Sequence, residues 1–160
     1  MLIRQAGSRA NINNSGLVYR SFTAKLRRMQ MATYFWIGLG SAIGGMGRFW
    51  LSQAMTHRLG DAFPFGTLIV NVSGSFLIGL IAALSPDLVP PRIIPAVRDF
   101  LMIGILGGYT TFAAFSVQTL HLAQRGEWIF AAANICLSVT LCLAAVWCGY
   151  FLGQMFVART

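Results

Sequence analysis

The sequence predicts an all-α membrane protein with four transmembrane helices, the third of them interrupted. Three observations carry this prediction. The 160-residue chain is 56% hydrophobic and 10% charged, whereas ordinary soluble domains carry roughly 25% charged residues. Its apolar residues fall into four runs, each long enough for the roughly 20 residues that a hydrocarbon core requires. The third run contains Gly107-Gly108-Tyr109-Thr110-Thr111, two pairs of poor helix formers in the middle of a span.

The net charge of +8 is unevenly placed. Arg4, Arg9, Arg20, Lys25, Arg27 and Arg28 lie in residues 1–30, which contain no acid, so residues 31–160 carry only +2. A nucleic-acid function therefore rests on a short basic arm alone. The chain divides at this point into an arm, 1–30, and a four-helix transmembrane domain, 31–160. The arm is rich in Asn, Ser and Arg, with Asn11-Ile12-Asn13-Asn14-Ser15-Gly16 as a turn-like centre. No separate apolar region follows it, which argues against a cleaved signal. Met29 and Met31 offer an alternative start, and the arm reads first as an extension ahead of it. If retained, it is expected to be disordered or to lie on an anionic membrane surface. Cys136, Cys142 and Cys148 share one apolar run. Their spacing matches neither a metal site nor a disulfide framework.

The first span covers about 34–55. Tyr34, Phe35 and Trp36 form an interfacial aromatic belt, and Gly40 and Gly44 make a small-residue face for close helix contact. Arg48 lies inside this apolar stretch. It has two readings, a charge facing a water-filled vestibule and a side chain snorkelling to the headgroups. A short polar loop, His57-Arg58-Leu59-Gly60-Asp61, precedes the second span at about 65–84. There Thr67, Asn71, Ser75 and Gly79 recur every four residues and share one helix face. Asn71 is the costliest of them to bury. Its amide suits either a permeating ion or an interhelical hydrogen bond.

A proline-rich connection from Ser85 to Pro91, with Pro95 beyond it, leads to the third span at about 96–122. A loosened backbone at Gly107–Thr111 is tolerated in a bilayer where it is buried in protein or lines a polar cavity, as at ion sites of broken helices. The competing reading is a packing notch of small residues. Phe112 and Phe115 follow three residues apart, with Ser116 and Thr119 nearby. They are either packing rings or ring edges presented to a small anion. A loop at His121 and Arg125-Gly126-Glu127 leads to the fourth span, about 128–156. Here Asn134, Ser138 and Cys142 recur every four residues, and Gly149 and Gly153 form a second close-packing pair.

Together, three stretches resemble the Fluc/CrcB fluoride channels. They are Gly44-Gly45-Met46-Gly47-Arg48-Phe49, the run from Gly66-Thr67 through Asn71-Val72-Ser73-Gly74-Ser75-Phe76, and Gly107-Gly108-Tyr109-Thr110-Thr111-Phe112 followed by Phe115-Ser116. The resemblance covers about residues 32–155. It implies four-helix subunits paired as an antiparallel, dual-topology homodimer in the cell inner membrane. It also implies two fluoride pathways and a structural sodium ion at the dimer centre, where the third-helix breaks cross. By motif position, Gly107 and Thr110 would give backbone carbonyls to sodium, in keeping with the oxygen preference of hard cations. Asn71 would sit on the fluoride path, Phe112 and Phe115 would form its aromatic box, and Thr111 and Ser116 would supply hydroxyls. Arg48 would mark the vestibule, and Ser138 would belong to the polar track of the fourth span. Asn134 stands where the family often has tyrosine, and Ala113-Ala114 replaces a frequent Ser-Thr pair. The function implied is passive export of fluoride that enters as neutral HF, using several moderate donors rather than one full charge.

Topology gives an internal check. Without the arm and Arg48, one loop face carries Arg92, Arg98 and Arg159 and the other Arg58 and Arg125, a near balance that suits dual orientation. Counting the arm tips the balance strongly, which supports a start at Met29 or Met31. Two other readings are weaker. A proton-coupled drug exporter needs an embedded carboxylate, yet Asp61, Asp87, Asp99 and Glu127 fall in loops or at span ends. A non-transporting membrane subunit leaves the polar stripes without a purpose. No nucleophile–base set points to an enzyme.

Overall fold

A computed structural model describes the backbone of residues 2–84 and 97–158 and the side chains of residues 30–84 and 97–158. The proline-rich connection, the start of the third span at Ala96, the side chains of the basic arm, and Arg92 and Arg159 of the charge balance lie outside the described residues. Every element described is helical. They are α1 (Leu2–Leu59), α2 (Phe65–Leu84), α3 (99–109), α4 (Phe112–Gln124) and α5 (Trp128–Val157). In α3, Asp99–Leu106 is wound as a π-helix and Gly107–Tyr109 as a last α-helical turn. The chain forms two units, Met1–Phe35 and Trp36–Thr160. The first consists of helical backbone, and the second holds the packed core.

Three stretches are long and apolar enough to cross a membrane: α2, the segment Asp99–Gln124 that joins α3 to α4, and α5. The protein is thus an all-α, multi-pass membrane protein. α1 does not reach the same apolarity, because Gly38, Gly40, Gly44, Gly45 and Gly47 contribute little hydropathy and Arg48 opposes it.

Helices surrounded by lipid gain little from hydrophobic transfer to one another and depend instead on close dispersion contact. Small residues supply it here. Among the described residues, the most extensive interface joins α2 to α5. A Cβ on Gly79 would strike the Val146 carbonyl, and one on Gly149 would strike the Phe76 carbonyl. Gly153 meets Leu80 and Ala83 in the same seam. On the other side, α1 lies against α3. A Cβ on Gly40 would come within 2.8 Å of the Phe100 carbonyl, and one on Gly44 would strike that of Ile105. The Gly40/Gly44 face and the Gly149/Gly153 pair therefore pack as their spacing predicts.

Two short turns connect these elements. Gly60 (φ 83°) ends α1 in the left-handed region, its N–H donating to the Thr56 carbonyl. Gly126 (φ 78°) closes α4, with its own N–H on the Ala123 carbonyl and that of Glu127 on Leu122. This is the paired pattern that satisfies orphan carbonyls at a helix end.

Candidate functional site

Between α3 and α4 the chain leaves helical geometry for two residues. Thr110 (φ −81°, ψ 157°) and Thr111 (φ −153°, ψ 120°) are extended. The two preceding glycines are not part of this excursion. Gly107 and Gly108 are helical, and a Cβ on Gly108 would lie 2.5 Å from the Ser41 carbonyl of α1. Gly108 is thus a packing notch, and the departure from helix falls one turn later, at the threonines.

As the N-cap of α4, Thr111 keeps a helical role for its C=O, but its N–H has no helical partner, which is costly away from water. Asn71 supplies that partner and adds a second bond to the carbonyl. Its Nδ2 donates to the Thr111 carbonyl at 3.0 Å, and the Thr111 N–H donates to Asn71 Oδ1 at 2.8 Å. One side-chain amide from α2 thereby acts as a short piece of β-ladder. In a continuous helix the Thr111 N–H would reach the Gly107 carbonyl. Here it turns to Asn71, which frees that carbonyl at the negative end of the α3 dipole. Thr110 caps the same end, its N–H and its hydroxyl both donating to the Leu106 carbonyl, at 2.9 and 3.0 Å. Thr111 begins α4 by accepting the Ala114 N–H at its Oγ1, 3.2 Å, the usual role of threonine at a helix start.

Tyr109 anchors the end of α3. Its ring lies in a slot over Gly74 and Gly47, and its hydroxyl is 2.9 Å from Ser73 Oγ. Ser73 gives its single proton to the Val70 carbonyl, so Tyr109 is the donor in that pair.

Beside this junction lies a cavity of about 390 Å³, lined by residues of α2, the Thr110–Thr111 pair, α4 and α5. It gathers Asn71, Thr110, Thr111, Phe112, Phe115 and Ser138 from the predicted set. Ile78, Val139 and Leu143 supply much of its apolar wall, and no carboxylate lines it. The polar stripe of α2 and that of α5 therefore face one space, through Asn71 and Ser75 on one side and Ser138 and Cys142 on the other. Arg48, Gly107 and Ser116 lie outside this lining. Arg48 is half-buried and makes no ion pair among the described residues. Ser116 is exposed and gives its proton to the Phe112 carbonyl at 2.9 Å.

Counting protons shows which groups remain available to an occupant. Asn71 uses one of its two N–H bonds on Thr111 and retains the other. Thr111 Oγ1 only accepts, so its own proton is free. Ser75 lines the cavity and makes no hydrogen bond among the described residues. It was legible as the next member of the Asn71 stripe, although the predicted site set omits it. Asn134 is not part of the lining. It is 2% exposed and donates to Thr119 Oγ1 at 2.8 Å.

The two phenylalanines differ sharply. Their centroids are 5.2 Å apart at 51°, yet Phe115 is 8% exposed and Phe112 is 77% exposed. Phe115 is buried at the wall of the cavity, while Phe112 is exposed at its edge.

Fold and cavity together define a class: a multi-pass helical membrane protein with an open pocket walled by neutral donors and rings. The family can be given directly. The chain belongs to the CrcB-like family, described as CrcB-like protein, Camphor Resistance (CrcB), which matches residues 35–150. It is 49% identical over 117 residues to the "Fluoride-specific ion channel FluC" of Methylocella silvestris, covering 73% of this chain and 89% of that protein. It is 49% identical over 121 residues to the protein of that name from Rhodospirillum rubrum, covering 74% and 92%. For the one from Paramagnetospirillum magneticum the figures are 50% over 122 residues, 75% and 94%. A family of ion channels is not a family of enzymes.

Proposed function

We propose that this protein is a passive, fluoride-selective channel that exports fluoride from the cytoplasm across the cell inner membrane. The observation that carries this reading is identity at about half of the matched positions with proteins named as fluoride-specific channels. The cavity supports it. Fluoride is small and strongly hydrated, so a path has to replace water with several N–H and O–H donors that release it again. The remaining Asn71 N–H and the hydroxyls of Thr111 and Ser75 are donors of that kind, and all are neutral. Phe112 and Phe115 add rings with electropositive edges. The absence of a carboxylate from the lining removes the titratable group that a proton-coupled exporter requires.

The working unit on this reading is an antiparallel, dual-topology homodimer in which the segment after Trp36 provides a fourth span. The exposure of Phe112 supports pairing, because a ring projecting from one protomer would complete its box only against another. Arg48, with no carboxylate partner among the described residues, would draw anions to the mouth. The freed Gly107 carbonyl, with that of Thr110, fits a structural sodium ion, since both are hard oxygen donors at the negative end of a helix. Sodium bound there would contribute positive charge at the centre of the dimer.

The test is fluoride and chloride efflux from liposomes containing the purified protein, followed by electrode. Fluoride efflux without comparable chloride efflux is expected, and Phe112→Ala is expected to abolish it while leaving the assembly intact. Unaltered efflux in that variant would defeat the path assignment.

A further inference from the structure

Asn134 lies on α5 one turn before Ser138 and stands at the centre of a buried hydrogen-bond chain. Thr119 Oγ1 donates to the Phe115 carbonyl at 2.8 Å. Having only one proton, that hydroxyl can receive Asn134 only through the amide NH2, at 2.8 Å. The amide orientation follows: Oδ1 faces the other way, towards Ser138. The Ser138 hydroxyl points to it across 3.5 Å, a contact longer than the roughly 2.5–3.0 Å of an ordinary O–H···O bond and correspondingly weak. Ser138 is itself 8% exposed and lines the cavity. With its proton on Asn134, it turns lone pairs towards any occupant.

We propose that Asn134 is a positioning residue for the anion path, its Oδ1 competing with the permeating anion for the Ser138 hydroxyl proton. This inference rests on the fluoride-channel reading. An anion entering the cavity gains the Ser138 donor only by drawing its proton away from Asn134. The bond given up is long, so the exchange is inexpensive, and it is reversed when the anion leaves. Asn134 thereby weakens retention without touching the ion, which suits a path that must bind and release. Thr119 is what keeps the amide from turning over, and its own anchor is the backbone that carries Phe115.

The experiment measures fluoride current across planar bilayers as a function of fluoride concentration, for the wild type, Asn134→Val, Ser138→Ala and the double variant. Asn134→Val removes the competing acceptor. The half-saturating concentration is expected to fall about twofold, the low end for a hydrogen bond, with a lower maximal current because release is slower. In the Ser138→Ala background the same substitution is expected to leave half-saturation unchanged. If Asn134→Val does not yield a monodisperse protein, Thr119→Val carries the test, since it frees the amide to reorient and is expected to lower half-saturation only when Ser138 is present. An equal effect in both backgrounds, or a change in maximal current alone, would overturn the proposal. Absence of fluoride current from the wild type would overturn the channel reading with it, whereas current with additive variants would overturn this inference only.

Discussion

The seam between α2 and α5 and the junction at Thr110–Thr111 border the same cavity and are held together by opposite means. The seam is apolar and relies on the absence of side chains. Gly79, Gly149 and Gly153 let one helix touch the backbone carbonyls of the other. The junction is polar and relies on one side chain, Asn71, whose amide bonds to both backbone groups of Thr111. The difference teaches how a bilayer protein can contain a non-helical residue. Rigid helix contact costs nothing in hydrogen bonds, so it can be built from glycine alone. A departure from helix strands an N–H, and it survives only where a neighbouring span supplies an acceptor.

Breaking the junction should have the largest effect. Asn71→Leu keeps the branched side-chain shape, leaves the Thr111 N–H without a partner and removes the second bond to its carbonyl. The stranded N–H costs about 1–3 kcal/mol and the lost bond about 0.5–1.5 kcal/mol, so a loss of about 1.5–4.5 kcal/mol in stability is expected, together with loss of fluoride flux. Thermal unfolding in detergent and liposome efflux would measure the two. Asn71→Asp retains the acceptor for the Thr111 N–H and should fall between the wild type and the leucine variant. If both variants unfolded like the wild type, Asn71 would not be what holds the extended residue.

Breaking the seam should cost less. Gly149→Val places a side chain against the Phe76 backbone, which cannot rotate aside, and overpacking of this kind costs about 1–3 kcal/mol. The expected result is a lower melting temperature, with selectivity retained in whatever protein assembles. A selectivity change without a stability change would show that the seam does more than pack.

The smallest effect should come from the wall between the two regions. Cys142 lines the cavity, while Cys136 and Cys148 are not part of its lining and are exposed on the helix surface. A small, membrane-permeant thiol reagent should partly block fluoride efflux, and Cys142→Ser should relieve the block while leaving basal efflux nearly unchanged. Block that persists in Cys142→Ser would place the reactive thiol elsewhere.

Several of these features were legible before the structure. The four-residue recurrence of Asn71 with Ser75, and of Asn134 with Ser138 and Cys142, identified the two helix faces, and three of those residues line the cavity with Asn71. The pairs Gly40/Gly44 and Gly149/Gly153 identified the contact faces. What could not be read was the use made of each group. Gly107 and Gly108 looked as loose as the threonines, yet Gly108 is a helical residue pressed on Ser41. Ser116 looked like a donor near the path, but its proton belongs to the helix backbone. Asn134 shared a stripe with Ser138 and is nevertheless buried behind the wall. Phe112 and Phe115 differ by one helical turn in sequence and by nearly the full range of exposure in the fold.

Composition and periodicity by themselves determined that this chain lives in a membrane, where its second, third and fourth apolar runs lie and which faces are polar, because those properties depend on how apolar residues repeat along a helix. Tertiary structure alone decided which polar groups are spent and which are free. A hydroxyl or amide has one or two protons to give, and only the neighbouring helix determines whether they go to the backbone, to another side chain or to the cavity.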